Sequence, residues 1–381
     1  VHPMKSLRIL VLVHPSLVPP DSTAGYTDQQ IDDWRTEYDV ITTLRAVGHE
    51  VRCLGVLDSL VELRAAITDW KPDVVFNLLE EFNGIVTYDQ HVVAFLELME
   101  QPYTGCNPRG LLLSRDKPLC KQLLAYHRIP TAQFAVLRKG IKFRVPPRLR
   151  YPLFVKSATE DASLGIAQAS VVQDPQQLRD RVAFIHDQVG TDALVEEYID
   201  GREVYVGVLG NERLTRLPVW ELSFGSLAQG QSGIATRKVK WDRRYQRKHG
   251  ITSRRAGALP EGAAERLNRL SKRAYRALYM SGYGRMDFRM RDGSSEQSAY
   301  SVTVGASDFG AMRSALQTCG TVAQRPCLIY ALGDDLIVRL PRRQMAAELV
   351  ANEQRWLPQI ASHLPLPVPA PVRTEIGRAH V

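Results

Sequence analysis

Two runs, Leu7 to Val13 (LRILVLV) and Asp73 to Leu79 (DVVFNLL), are almost continuously apolar. A strand of that kind has no face suited to water, so it belongs inside a sheet covered on both sides. Between the two runs, WRTEYDVITTLRAVGHEV repeats its apolar residues at helical spacing as far as Gly48, and VRCLGV reads as a further strand. Strand, helix, strand in that order predicts a parallel α/β sheet, Rossmann-like in architecture, over residues 4–110 with Met4 as its start. No Gly-x-Gly-x-x-Gly follows the first strand, which argues against dinucleotide binding there.

The pattern then changes. CNPRGLLLSRD leads to a helix, DKPLCKQLLAYHR, which stops before Ile129-Pro130. Beyond it come the strands FAVLRKG, PLFVKS and IAQASVV, a helix at Pro175 to Val189, and the strands ALVEEYI, REVYVGVLG and LTRLPVWELSF. Strands grouped around few helices describe α+β units, read here as 114–200 and 201–293. No apolar run among the 381 residues approaches the eighteen or so needed to cross a bilayer, and Ile9 to Val13 is too short for a signal-peptide core. Five cysteines without metal-type pairing suit reduced thiols and a cytoplasmic setting. The net charge of +8 is concentrated between Arg237 and Arg291, where seventeen Lys or Arg face four acids. Part of that charge is the solvated side of a helix near Glu261 to Met280, buried along Leu267, Leu270, Ala274 and Leu278. The remainder suits a polyanion. Lacking the interleaved aromatics of a single-strand binder, the segment points to nucleotide phosphate and not to nucleic acid.

Five segments in order, QPYTGCN (101–107), SRDKPLCKQLLAYHRIPT (114–131), PLFVKS (152–157), LVEEYIDGREVYVGVLGN (194–211) and GYGRMDFR (282–289), resemble D-alanine:D-alanine ligase and its ATP-grasp relatives. The resemblance implies an ATP-grasp fold behind an N-terminal Rossmann-like pre-ATP-grasp domain. It further implies a cytoplasmic enzyme of peptidoglycan synthesis, open to homodimerisation, with ATP, Mg²⁺ (or Mn²⁺) and small amino acids as partners. Such an enzyme phosphorylates a carboxylate and lets an amine attack the acyl phosphate. By resemblance Lys156 and Lys117 offer ammonium charges to the phosphates, and the loop 159–167, with Ser163 in it, folds over them. Glu196 accepts from the adenine amino group, Glu197, Tyr198 and Ile199 offer backbone groups to the ring, and Glu203 holds the ribose. Lys240 closes over the γ-phosphate, with Lys238 and Arg237 as competitors for the role. Arg285 faces the tetrahedral oxyanion, a charge best met by a preorganised donor, and Asp287 is the first metal ligand. Glu37, Glu80 and Glu81 are candidates for the substrate amine, next to Trp34 and Tyr38, which depart from the D-alanine pattern.

The resemblance stops near Gly293. The family's next strand ends in Glu-x-Asn, but aligning Tyr300 with its aromatic residue puts Thr303 and Gly305 at those positions. That leaves the metal site half missing and keeps two alternatives open: a nucleotide-binding chain with impaired catalysis, or a ligase for another amino acid or peptide. Residues 294–381 read as a foreign tail. Within it, 330–372 resembles the N-terminal lobe of aminoglycoside-phosphotransferase-like kinases, with Arg339 and Glu353 at its pairing positions. EIGRAHV (375–381) resembles a translated sequencing adapter.

Overall fold

A computed structural model describes residues 6–144, 147–160, 165–229, 233–291, 300–305, 330–332 and 336–338. The first unit comprises β1 (Arg8–Val13), α1 (Asp28–Ala46), β2 (Glu50–Gly55), α2 (Val61–Ala65), β3 (Val74–Asn77) and α3 (Asp89–Leu98). Its strands form a parallel sheet in the order β2-β1-β3, with Val11 between Cys53 and Phe76. Because β1 is apolar on both faces, Ile9, Val11 and Val13 bury against Val40, Ile41 and Leu44 of α1. Leu10 and Leu12 bury on the other side against Leu63, Ile67, Val92 and Leu96. Thr27 and Gln30 start α1 with a reciprocal capping box.

Two helices, α4 (Pro108–Arg115) and α5 (Lys117–Tyr126), lead into the second unit. Asp116 caps α5 by accepting from the Leu119 N–H at 2.9 Å, which fixes Lys117 at the first helical position. There follow β4 (Phe134–Leu137), β5 (Leu153–Ser157), β6 (Val171–Val172), α6 (Pro175–Phe184) and β7 (Ala193–Glu197), in an antiparallel sheet ordered β4-β7-β5-β6. Alternation places Leu153, Val155, Ala193 and Val195 in a core with Leu178, Val182 and Ile185. Phe154, Lys156, Leu194 and Glu196 therefore share the opposite face.

The third unit contains β8 (Arg202–Leu209), β9 (Thr215–Arg216), β10 (Trp220–Ser223), α7 (Arg237–Trp241), α8 (Arg243–His249), β11 (Thr252–Arg255), α9 (Ala263–Ala277), β12 (Tyr283–Met290) and β13 (Tyr300–Gly305). Its sheet runs β11-β10-β8-β12-β13, with β9 beside β8. Val204, Val206 and Val208 of β8 and Met286, Phe288 and Met290 of β12 pack on Leu267, Leu270 and Ala274 of α9, as the helix periodicity predicts. Gly282 (φ +78) enters β12 so close to the Gly105 carbonyl that a side chain would collide with it.

One boundary is corrected. The fold does not stop at Gly293, because β13 pairs with β12 along its whole length, from Met290↔Tyr300 to Arg285↔Gly305. Backbone pairing does not require the Glu and Asn side chains. Its register sets Val302 and Val304 against Phe288 and Met286, the apolar positions of β12. Of the segment expected to resemble a kinase lobe, only the antiparallel pair Tyr330–Leu332 and Leu336–Val338 is described. Arg339, Glu353 and EIGRAHV lie outside the described residues.

Candidate functional site

On the polar face of the central sheet, the Glu196 carboxylate lies between two ammonium groups. Lys156 Nζ is 2.7 Å from Oε1, and Lys121 Nζ is 2.9 Å from Oε2. All three residues are buried. The strand register explains the first contact, since Glu196 pairs with Phe154 and so lies diagonally from Lys156, two residues along on the same face. The second comes from α5, whose Lys121 also donates to Thr131 Oγ1 at 2.6 Å and lies 5.3 Å from the Phe134 ring centre. Burial alone would raise the Glu196 pKa, but Lys121 and Lys156 outweigh it and hold the carboxyl at about 2. Burial pushes the Lys121 ammonium down, with Glu196 opposing that shift. Lys121 was not singled out from sequence. Its only signal was a second lysine one helical turn after Lys117, a spacing that puts both on one side of a helix.

Lys117 lies at the base of the 159–167 loop, where its Nζ donates to the Glu160 carbonyl at 2.7 Å. Ser163 lies outside the described residues. The loop's far end is held by Arg181, which donates to Gly165 O and to Ser170 Oγ. Past β7, Glu197 Oε1 accepts from the Arg150 N–H at 3.0 Å. The Glu197 and Tyr198 N–H groups are committed to Gln133 O and Pro152 O, both at 2.9 Å. Those two residues keep their N–H donors within the fold, so the backbone groups they would offer a ring are their carbonyls. Ile199 follows, half-buried.

The second polar face is read directly from strand register. Glu203, Tyr205 and Gly207 on β8 stand opposite Arg289, Asp287 and Arg285 on β12. Across the next gap, Asp287 stands opposite Thr303 and Arg285 opposite Gly305. The Arg285 guanidinium holds Asp287 through two bonds, Nε to Oδ1 at 2.5 Å and a terminal N–H to Oδ2 at 2.7 Å. It also lies 4.7 Å from the Tyr205 ring centre. Glu203 accepts from the Tyr205 hydroxyl at 2.6 Å and pairs with Arg289 at 2.8 Å. Burial, then the Glu203 and Asp287 charges, keep the Tyr205 phenol protonated well beyond its ordinary range. Arg289 joins the two faces, since its guanidinium lies 6.0 Å from the Tyr198 ring and 5.6 Å from that of Phe224. Neither Tyr205 nor Arg289 had been assigned a role from sequence.

Lys240 stands half-buried on α7, and its ammonium pairs with none of these carboxylates among the described residues. Arg237 and Lys238 are exposed beside it. Arg243, next along, reaches Asp32 of α1 at 3.2 Å and ties this segment to the first unit. There the acids proposed for a substrate amine separate. Glu81 pairs with His14 at 3.4 Å, Glu80 is exposed, and Glu37 is buried on α1. Trp34 marks a break in α1 and stacks edge-on with Tyr26 and obliquely with Tyr38. Cys53, Cys106 and Cys120 are free thiols. Among the described residues no group of three or more acids, histidines or cysteines is gathered as a metal cage, and no helix is long and apolar enough to cross a membrane.

Known proteins share this architecture and sequence. The family described as D-ala D-ala ligase C-terminus matches residues 123–298. An uncharacterized protein of Sinorhizobium fredii, y4sG, is 33% identical over 66% of this chain and 72% of its own length. A D-alanine–D-alanine ligase of Syntrophotalea carbinolica is 34% identical over 68% of this chain and 76% of its own. The chain spans a smaller share, between 56% and 62%, of four other ligases of that name. The crystal structure of the Bacillus anthracis D-alanine–D-alanine ligase complexed with ATP superposes with a TM-score of 0.57, covering 79% of this chain and 86% of that one at 21% identity, a likeness of fold. With its three units, its sheet order and these matches, the chain belongs to the D-alanine–D-alanine ligase family of ATP-grasp ligases.

Proposed function

We propose that this chain joins a carboxylate to an amine at the expense of ATP, with D-alanine as both substrates. The observation that carries the reading is the meeting of two polar faces: the buried Lys121–Glu196–Lys156 group and the Glu203–Arg289, Arg285–Asp287 array, joined where Arg289 faces Tyr198. In this reading Lys156 and Lys117 attract the phosphates, Glu196 accepts from the adenine amino group, and Glu203 accepts from the ribose. A substrate carboxylate oxygen attacks the γ-phosphorus and ADP leaves. The second substrate's amine then attacks the acyl carbon, and phosphate leaves as the amide forms. Arg285 donates to the oxygen that becomes negative during this attack, and Lys240 offers its ammonium to the γ-phosphate. Cytoplasmic residence and a homodimeric state belong to the same proposal.

Asp287 is a hard oxygen donor on the polar face, and Mg²⁺ commonly uses one or two carboxylates together with substrate phosphates. Asp287 would hold a Mg²⁺ or Mn²⁺ ion, which when bound neutralises charge on the transferring phosphoryl group. The residues opposite, Thr303 and Gly305, supply no further carboxylate. Family membership favours the ligase over a nucleotide binder without turnover. The test is release of ADP and phosphate with D-alanine and with a panel of other amino acids, with products identified by mass spectrometry. D-alanyl-D-alanine as the main product is expected, and a doubly substituted Thr303→Glu, Gly305→Asn chain should turn over about a hundredfold faster or more. ATP hydrolysis indifferent to amino acids, or preference for a different one, would overturn the assignment.

A further inference from the structure

We infer that Lys121 is a positioning residue: it is the resident counter-ion of Glu196, and so frees Lys156 to leave that carboxylate for the nucleotide phosphates. The inference rests on the reading just given, in which Lys156 meets phosphate. The geometry separates the two lysines. Lys121 projects from α5, donates to Thr131 Oγ1 as well as lying 2.9 Å from Glu196, and belongs to a helix that packs on the third unit. Lys156 sits on β5, one residue before the strand ends and ahead of the 159–167 loop, and its hydrogen bond from Nζ goes to Glu196 Oε1.

Charge balance makes the second cation necessary. A buried carboxylate left without a partner is strongly disfavoured, whereas one that keeps a cation in direct contact, as Lys121 is with Oε2 at 2.9 Å outside hydrogen-bond geometry, is disfavoured far less. If Lys156 were the sole partner, each nucleotide bound through it would strand Glu196 in the interior. With Lys121 in place, Glu196 stays paired while Lys156 redirects its ammonium. The groups facing this cluster are Lys117, Cys120 and Lys121 from α5 and Lys156 from β5, with the Phe134 ring on β4. Burial raises the Cys120 thiol to about 12, so it stays neutral and supplies no charge. Lys117 is engaged at the Glu160 carbonyl.

The experiment is calorimetric binding of ATP to the full chain and to Lys121→Met, Lys121→Arg and Lys121→Met/Glu196→Gln, from pH 6 to pH 8. Lys121→Met should weaken ATP binding by at least about tenfold, and the deficit relative to the unaltered chain should shrink toward pH 6, where Glu196 can take a proton instead. Lys121→Arg should keep most of the affinity. Adding Glu196→Gln to Lys121→Met should recover part of it, because the stranded charge is gone while an acceptor oxygen remains. An affinity unchanged in Lys121→Met would overturn the inference. So would a loss that is independent of pH and not relieved by Glu196→Gln, since that is the mark of a direct ATP contact or of damage to the fold. If the unaltered chain binds no ATP, the parent reading fails and this role falls with it. ATP binding that is normal in the unaltered chain but insensitive to Lys121 contradicts the positioning role alone.

Discussion

On the central sheet, Glu196 draws one cation from a strand forty residues earlier in the sequence and another from a helix on a different element; all three groups are buried. On the neighbouring sheet, Arg285 and Asp287 are two residues apart on one strand, and Asp287 keeps 23% of its side chain exposed. The first arrangement is a fixed, dehydrated ion cluster, in which each charge is strongly felt and expensive to leave unpaired. The second is a short-range pair on one strand, buried at its Arg285 end and open to solvent only at Asp287, so that Asp287 can exchange its partner more easily. Binding of a tetra-anion suits the former. Stabilising a charge that appears only during reaction suits the latter.

The division predicts different kinetic signatures. Arg285→Ala should lower kcat by about a hundred- to a thousandfold, as expected for a donor to a developing oxyanion, with ATP affinity nearly unchanged. An equal loss of affinity would erase the distinction between the two faces. Lys156→Ala should weaken ATP binding by about ten- to a hundredfold, the value of one charge-assisted hydrogen bond to phosphate, while the melting temperature changes little. Unchanged affinity by calorimetry would remove Lys156 from the site.

The smallest effect is on stability. Glu196 is held at about 2 when folded against an ordinary value of 4.5, so the folded chain takes up this proton less readily than the unfolded chain. Its contribution is whole above the ordinary value and is lost as pH falls from about 4.5 toward 2. Thermal melts between pH 5 and pH 3 should therefore fall by a few degrees more for the unaltered chain than for Glu196→Gln. Parallel decline of the two would show that Glu196 carries no such linkage.

Much of this was readable beforehand, for identifiable reasons. The continuously apolar β1 and β3 had to be strands covered on both faces, and FVKS and LVEEY put Lys156 and Glu196 at alternating positions that meet once their strands pair in this register. Lys121 was not readable. Its partner is fixed by how α5 lies across the sheet, and no local pattern distinguishes it from a surface lysine. Arg289 and Tyr205 sit in recognised segments, but their roles depend on the register between β8 and β12, which alternation alone does not set. The end of the fold was misplaced at Gly293 because the expected carboxylate and amide were missing there. The pairing of β13 depends on backbone hydrogen bonds and apolar alternation instead.

The central claim is ligation through an acyl phosphate, and isotope transfer tests it most directly. D-alanine labelled with ¹⁸O in its carboxylate is incubated with ATP and the purified chain, and the released phosphate is analysed by mass spectrometry. One ¹⁸O in each phosphate, in step with dipeptide formed, is the predicted result, because the oxygen that attacks the γ-phosphorus leaves with it. Phosphate without ¹⁸O, its one new oxygen taken from solvent, would mean that water, and not the carboxylate, attacks ATP, and would contradict the account.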